Sequence, residues 1–144
     1  MFRRRDRRIQ VLLVHPGGPF WKGKEEGAWS IPKGEFGAGE EPAIAAAREF
    51  REETGFEPGE PLLALGAHKQ PGGKTVSAWA FEGDCDPAAL RSNTFEMEWP
   101  PRSGRQASFP EVDRAEWFAL PEARRRIHKG QVPFLDTLEA LAGG

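Results

Sequence analysis

The chain has 144 residues, a formal net charge of −2, 38% hydrophobic and 29% charged residues, a size that suits one domain spanning residues 1–144, with a buried core and one pocket. The near balance of charge gives no global basic field for nucleic acid, and the longest aliphatic run, Val11 to Val14, is far short of the ~20 residues that cross a bilayer. No apolar stretch follows the N-terminal charges as a secretory signal requires, and the one cysteine, Cys85, can close no internal disulfide, which fits a reducing cytoplasm.

Glycine (17) and proline (13) are abundant, and they punctuate the chain rather than forming one tract, so short elements are joined by many loops. The arginines at 3, 4, 5, 7 and 8 read as a solvated basic end beside the first strand, with contact to RNA as the rival reading. Ile9 to His15 is a buried strand, bounded by charge before and Pro-Gly after. Trp29-Ser30-Ile31 is a short extended piece, because Pro32 disfavours helix in the residue before it. From Pro42 to Thr54 the pattern is helical, with Pro42 at the first position and Gly55 as the stop. Leu62 to Gln70 and Lys74 to Glu82 form a predicted hairpin through Pro71-Gly72-Gly73, with Val76, Ala78 and Ala80 on one face and Ser77, Trp79 and Phe81 on the other. Thr94 to Trp99 and Ala115 to Leu120 are further strands. Pro121 to Lys129, whose Arg124, Arg125 and Arg126 form a solvated face, and Val132 to Leu141 are helices. Such a chain predicts an α/β protein with a mixed sheet flanked by helices.

The 42–54 helix carries the chemistry. At 3.6 residues per turn, Glu49, Glu52 and Glu53 share one face. Ala43, Ala47, Phe50 and Thr54 are expected to supply the buried stripe, and Arg48 stands four residues before Glu52, within ion-pair reach. Three carboxylates on one face repel one another, and they crowd the end of the helix whose dipole disfavours negative charge. A hard divalent cation, Mg²⁺ or Mn²⁺, would make the cluster favourable, because it takes oxygen ligands and leaves positions for water and phosphate. A solvated acidic face is the ordinary alternative for a bare E-x-x-E-E.

The surroundings are more specific. Gly34, Glu40, Arg48, Glu49, Phe50, Glu52, Glu53, Gly55 and Phe56 match without departure the signature of the Nudix hydrolases, which this chain resembles. A chance match at a given start is on the order of 10⁻⁸. Trp29-Ser30-Ile31-Pro32-Lys33 before the box and Glu116-Trp117-Phe118 after it also look like the family.

The resemblance implies an α/β/α sandwich around a mixed β-sheet, and hydrolysis of a nucleoside diphosphate linked to another moiety, with divalent metal. It implies that Glu49, Glu52 and Glu53 hold metal, with Glu40 and the Gly34 region in support, that Arg48 orients the glutamates, and that one glutamate of the three, Glu53 or Glu49 first, can act as base. A further carboxylate from a late loop often joins such a site; Glu111 is the candidate, with Glu96 and Glu98 as rivals. Lys33, Lys69 and Lys74 are candidate phosphate contacts and Trp29 a candidate substrate contact. Trp79 with Phe81, or Phe20 with Trp21, could stack a purine, against core packing as the plainer reading. Pro32-Lys33-Gly34 resembles dinucleoside polyphosphate hydrolases, although the tyrosine common in that subgroup is absent. Pro71, fifteen residues after Phe56, resembles ADP-ribose hydrolases. Dinucleoside polyphosphates are the preferred expectation, then ADP-ribose or a nucleotide sugar, then a nucleotide sensor without turnover. His15, His68 and His128 receive no role.

Overall fold

The computed structural model describes residues 1–32, 40–70 and 72–143; Lys33, Gly34 and Pro71 lie outside the described residues. The central sheet has the order β1-β2-β7, formed by β1 (Phe2–Arg5), β2 (Arg8–Pro16) and β7 (Val112–Ala119), all antiparallel. Asp6 and Arg7 both have positive φ, 51° and 65°, the backbone of a two-residue hairpin turn whose twist suits its strands. The basic N-terminus is therefore an ordered strand and not a solvated end. Arg3 and Arg5 pair with Asp84, and Arg4 pairs with Glu82.

A parallel bridge from Phe2 to Glu82 and another from Trp29 to Ile127 give the sheet its mixed character. β3 (Leu63–Lys69) and β4 (Thr75–Ala80) form the expected hairpin. β5 (Thr94–Glu98) pairs with β6 (Gln106–Pro110) in a second one. The continuous apolar run of β2 follows from burial on both faces. Val11 and Leu13 join a core with Phe118 and with Phe134, Leu135 and Leu138 of α3 (Val132–Ala142). Leu12 and Val14 face the other way, with Val112, Ala115, Phe56 and Leu90.

α1 runs from Pro42 to Thr54, with Pro at its start. Gly55 closes it at φ 76°, and its N–H donates to the Arg51 carbonyl, the left-handed stop that glycine adopts without strain. The buried stripe is rotated from the expected one. Ala45, Phe50, Glu53 and Thr54 are buried, while Ala43 and Ala47 are only half-buried. Phe50 lies edge-on to Phe81 with ring centroids 5.2 Å apart, a burial worth roughly 1.5–3 kcal/mol.

α2 is shorter than expected, Leu120–Arg126. Its arginines are engaged: Arg124 pairs with Asp136 and Glu139 of α3, and Arg125 and Arg126 pair with Glu122, Glu26 and Glu25. No helix among the described residues is long and apolar enough to cross a membrane.

Candidate active site

The C-terminal half of α1 is fixed from both sides. The Thr54 hydroxyl donates to the Phe50 carbonyl (2.6 Å) and accepts from the Phe56 N–H (3.1 Å). The Asn93 N–H donates to the Glu52 carbonyl (3.0 Å), and the Arg91 N–H donates to that of Thr54 (2.8 Å). These bonds satisfy carbonyls that the helix itself leaves without donors. Gly55 sits against Arg91, where a Cβ would lie 2.9 Å from the Arg91 Cβ.

Arg48 organises the carboxylates. Its Nε and Nη2 donate to the two oxygens of Glu40 at 2.9 and 3.0 Å, and its Nη1 donates to Glu49 (2.9 Å) and Glu52 (3.2 Å). Such a planar fork fixes orientation in a way that an ammonium cannot. The hydrogen bonds to Glu40, then those to Glu49, hold the guanidinium above its already high ordinary pKa. Glu53 turns inward instead, at 8% exposure.

Glu111 arrives from far along the chain. Its N–H donates to the Asn93 carbonyl (2.8 Å), whose own N–H is bound to Glu52. Its carboxyl is held above the ordinary carboxylate range, first by loss of water and then by the negative charge of Glu49 and Glu52. Glu96 and Glu98 lie exposed on the face of β5 opposite Phe95 and Met97.

The donor set is oxygen-only, which suits a hard divalent cation. Among the described residues no three carboxylate, imidazole or thiol side chains converge into a metal's ligand shell. Glu49 and Glu52 each spend one oxygen on Arg48, so a cation would share these carboxylates with the guanidinium. The residues fit such an ion by the chemistry of their donors.

Behind α1 a cavity of about 430 Å³ opens against β4 and α3. Ala45, Phe50, Trp79, Phe81 and Phe134 line it, and Lys74 is among its polar groups. Lys69 is exposed at the end of β3. Trp29 is not at the substrate. It has no exposed surface and packs edge-on against His15 and Phe118, because β2 and α2 close over it through Ser30 and Ile127.

Two features escaped the sequence. Nothing in the local pattern marks Asn93 as the tie between Glu52 and Glu111. His15 is 1% exposed; its Nε2–H donates to the Lys24 carbonyl (2.7 Å) and its Nδ1 lies 2.9 Å from Asp113. An apolar strand ending in His gave no sign of that anchor.

Comparison with known proteins bears on the fold and the family. The family model described as NUDIX domain matches residues 1–138. An octanoyltransferase from Myxococcus xanthus is 34% identical over 118 residues, covering 82% of this chain; the chain spans only 29% of that protein. Among solved structures, a C. elegans Ap4A hydrolase binary complex is similar at a TM-score of 0.66 and 22% identity, covering 99% of this chain and 95% of that one. The NUDIX domain of Shewanella oneidensis NrtR complexed with ADP ribose gives 0.65 at 15% identity, covering 97% and 82%. These likenesses show a shared fold. The match across nearly the whole length shows the rest: the chain belongs to the Nudix family of hydrolases.

Proposed function

We propose that the chain, acting as one catalytic domain, is a divalent-metal-dependent pyrophosphohydrolase that cleaves a nucleoside diphosphate linked to another moiety, with dinucleoside polyphosphates as substrates. One observation carries most of this reading: Glu111, far beyond α1 in sequence, is tied by backbone bonds through Asn93 to the last turn of α1, and its carboxyl feels the negative charge of Glu49 and Glu52. Arg48 is shared among Glu40, Glu49 and Glu52, and the negative charge left over with Glu111 is what a further cation would offset.

Glu49, Glu52 and Glu53 would hold Mg²⁺, or Mn²⁺, with Glu40 acting through Arg48 and the Gly34 region in support. Such an ion, when bound, neutralises the diphosphate and lowers the pKa of water. The chain's own residues do the rest. Arg48 keeps Glu49 and Glu52 from rotating apart. Glu111 accepts the proton as water oxygen adds to one phosphorus, and the bridging P–O bond breaks with its electrons leaving on the departing phosphate. Its raised pKa makes it a stronger base than an ordinary carboxylate. The cavity behind α1 takes one nucleoside, and Lys74, Lys69 and Lys33 meet phosphate.

Hydrolysis of ADP-ribose or a nucleotide sugar is the second reading, favoured by the likeness to the NUDIX domain solved with ADP ribose. A sensor without turnover would gain nothing from the charge repulsion of the cluster. One half-buried thiol accords with a reducing compartment, and we place the reaction in the cytoplasm. Incubating the protein with Mg²⁺ and a panel of diadenosine polyphosphates, ADP-ribose and nucleotide sugars tests the assignment. Preferred cleavage of the first class is expected; preferred cleavage of ADP-ribose would move it to the second reading.

A further inference from the structure

The Glu111 side chain is exposed, and among the described residues no hydrogen bond or ion pair holds its carboxyl. Its position is set by the main chain that carries it, against the repulsion of Glu49 and Glu52. Three bonds grip that main chain. The Gly17 N–H donates to the Glu111 carbonyl (2.9 Å), and the Glu111 N–H to the Asn93 carbonyl (2.8 Å). The third differs in kind: the Val112 N–H donates to the hydroxyl oxygen of Ser92 (3.0 Å). Ser92 in turn donates its hydroxyl proton to the Asn93 carbonyl (2.8 Å), the oxygen that also accepts from Glu111. One hydroxyl thereby links the acceptor of the Glu111 N–H to the N–H that follows it.

Ser92 is anchored on both sides. The Arg91 N–H donates to the Thr54 carbonyl (2.8 Å) and the Asn93 N–H to that of Glu52 (3.0 Å), so its backbone moves with the end of α1. Val112 is 4% exposed and shares an apolar cluster against which Leu90 packs. An N–H on so buried a residue needs its acceptor, and Ser92 is the acceptor it has. The neighbouring sheet ladder gives little help there. Pro16 is the partner of Val112, across a break in register after His15, and proline brings no N–H to the ladder. The Ser92 hydroxyl holds the start of β7 at the point where β2 holds it least.

We propose that Ser92 is a positioning residue for the hydrolysis: its hydroxyl locks the start of β7 to the 91–93 segment and so keeps the Glu111 carboxylate where it can take the proton. The proposal rests on the reading of Glu111 as base and deepens it. Of the three bonds that grip Glu111, only this one passes through a side chain, so only this one can be removed with the main chain kept. Without the hydroxyl, Glu111 keeps its chemistry but spends less time in place. A base acts only within hydrogen-bond reach of the proton it takes, so the rate follows that fraction. Substrate affinity has no such dependence, because Ser92 does not line the cavity behind α1.

Turnover is measured with Mg²⁺ on the member of the nucleotide panel that the wild type cleaves best, for Ser92→Ala, Glu111→Gln and the double variant. Ser92→Ala is expected to lower kcat about tenfold with KM nearly unchanged, and Ser92→Thr, which keeps the hydroxyl, to restore most of the loss. In the Glu111→Gln background the same change should cost nothing further, because no base is left to misplace. Amide exchange followed by NMR gives a readout without turnover. The Val112 N–H should lose protection in Ser92→Ala, while those of Arg91 and Asn93 keep theirs. Should that variant fail to fold, Ser92→Cys, similar in size but a weaker acceptor, takes its place. An unchanged kcat, an equal loss with and without the Glu111 carboxylate, or loss of protection at Arg91 and Asn93 as well would overturn the assignment. The reading of Glu111 as base fails separately, on an unchanged rate in Glu111→Gln or none in the wild type. Undiminished protection of Val112 in Ser92→Ala would then overturn the Ser92 grip by itself.

Discussion

Glu111 and Glu52 are joined through one residue. The Glu111 N–H donates to the Asn93 carbonyl and the Asn93 N–H to the Glu52 carbonyl, at 2.8 and 3.0 Å. A late loop is thereby registered to the glutamate face of α1 by main-chain geometry, which no side-chain substitution at Asn93 removes directly.

Replacing the carboxyl while keeping this register isolates its chemistry. Glu111→Gln is expected to cut kcat by about two orders of magnitude, the usual scale of a lost general base, with the fold intact by circular dichroism. An unchanged rate would transfer the role to Glu96 or Glu98.

Arg48 should tolerate no cation of different shape. Arg48→Lys keeps the charge but loses the fork that grips both Glu40 oxygens, so metal affinity or activity should fall by about 10–100-fold. Calorimetric titration with Mn²⁺ measures it directly; wild-type affinity in the lysine variant would show that the fork does not orient the carboxylates.

The raised pKa of Glu111 has a definite sign in stability. The folded carboxyl keeps its proton at pH values where the unfolded one, ordinary for a carboxylate, has lost it. Its contribution is therefore fully present below the unfolded value and is lost as pH rises through the folded one. Without metal, the difference in Tm between wild type and Glu111→Gln should shift against the wild type as pH rises from the ordinary carboxylate value through the raised one. Mg²⁺ should oppose that shift. A difference independent of pH would mean that Glu111 is not in the field of Glu49 and Glu52.

Two glycines separate strain from contact. Gly55→Ala meets both a positive φ and Arg91, whereas Gly27→Ala meets a positive φ of 69° and nothing within 4 Å. Both should lose stability, Gly55→Ala by about 1–3 kcal/mol. Only Gly55→Ala should also lower kcat, because it pushes the Arg91–Asn93 segment that carries Glu111. Chemical denaturation and turnover, measured together, decide this.

Trp29→Phe tests the reassignment of that residue to the core. Stability should drop by roughly 1–3 kcal/mol while KM stays within twofold, since no surface of Trp29 reaches ligand. A selective rise in KM would return it to the substrate site.

Local chemistry made much of this legible. Pro42 and Gly55 bound α1 as the sequence implies, and the apolar run of β2 and the turn glycines of the β3–β4 hairpin are equally plain. β1 is hidden because three of its four residues are arginines, which become a strand only when Asp84 and Glu82 are brought opposite them. β6 is hidden because it is short and ends in proline. The rotation of α1 that buries Ala45 and Glu53 depends on what packs against it, here Phe81 on Phe50. Arg48 could be paired with Glu52 from spacing alone, but its grip on Glu40 and the approach of Glu111 are tertiary and have no local signature.

The most direct test is hydrolysis of diadenosine tetraphosphate by the wild type and by Glu53→Gln, each with Mg²⁺ and with chelator. Cleavage by the wild type that is lost in chelator, and lost in a folded Glu53→Gln, is the expected result. Cleavage that survives either change would contradict a metal site on the glutamate face of α1.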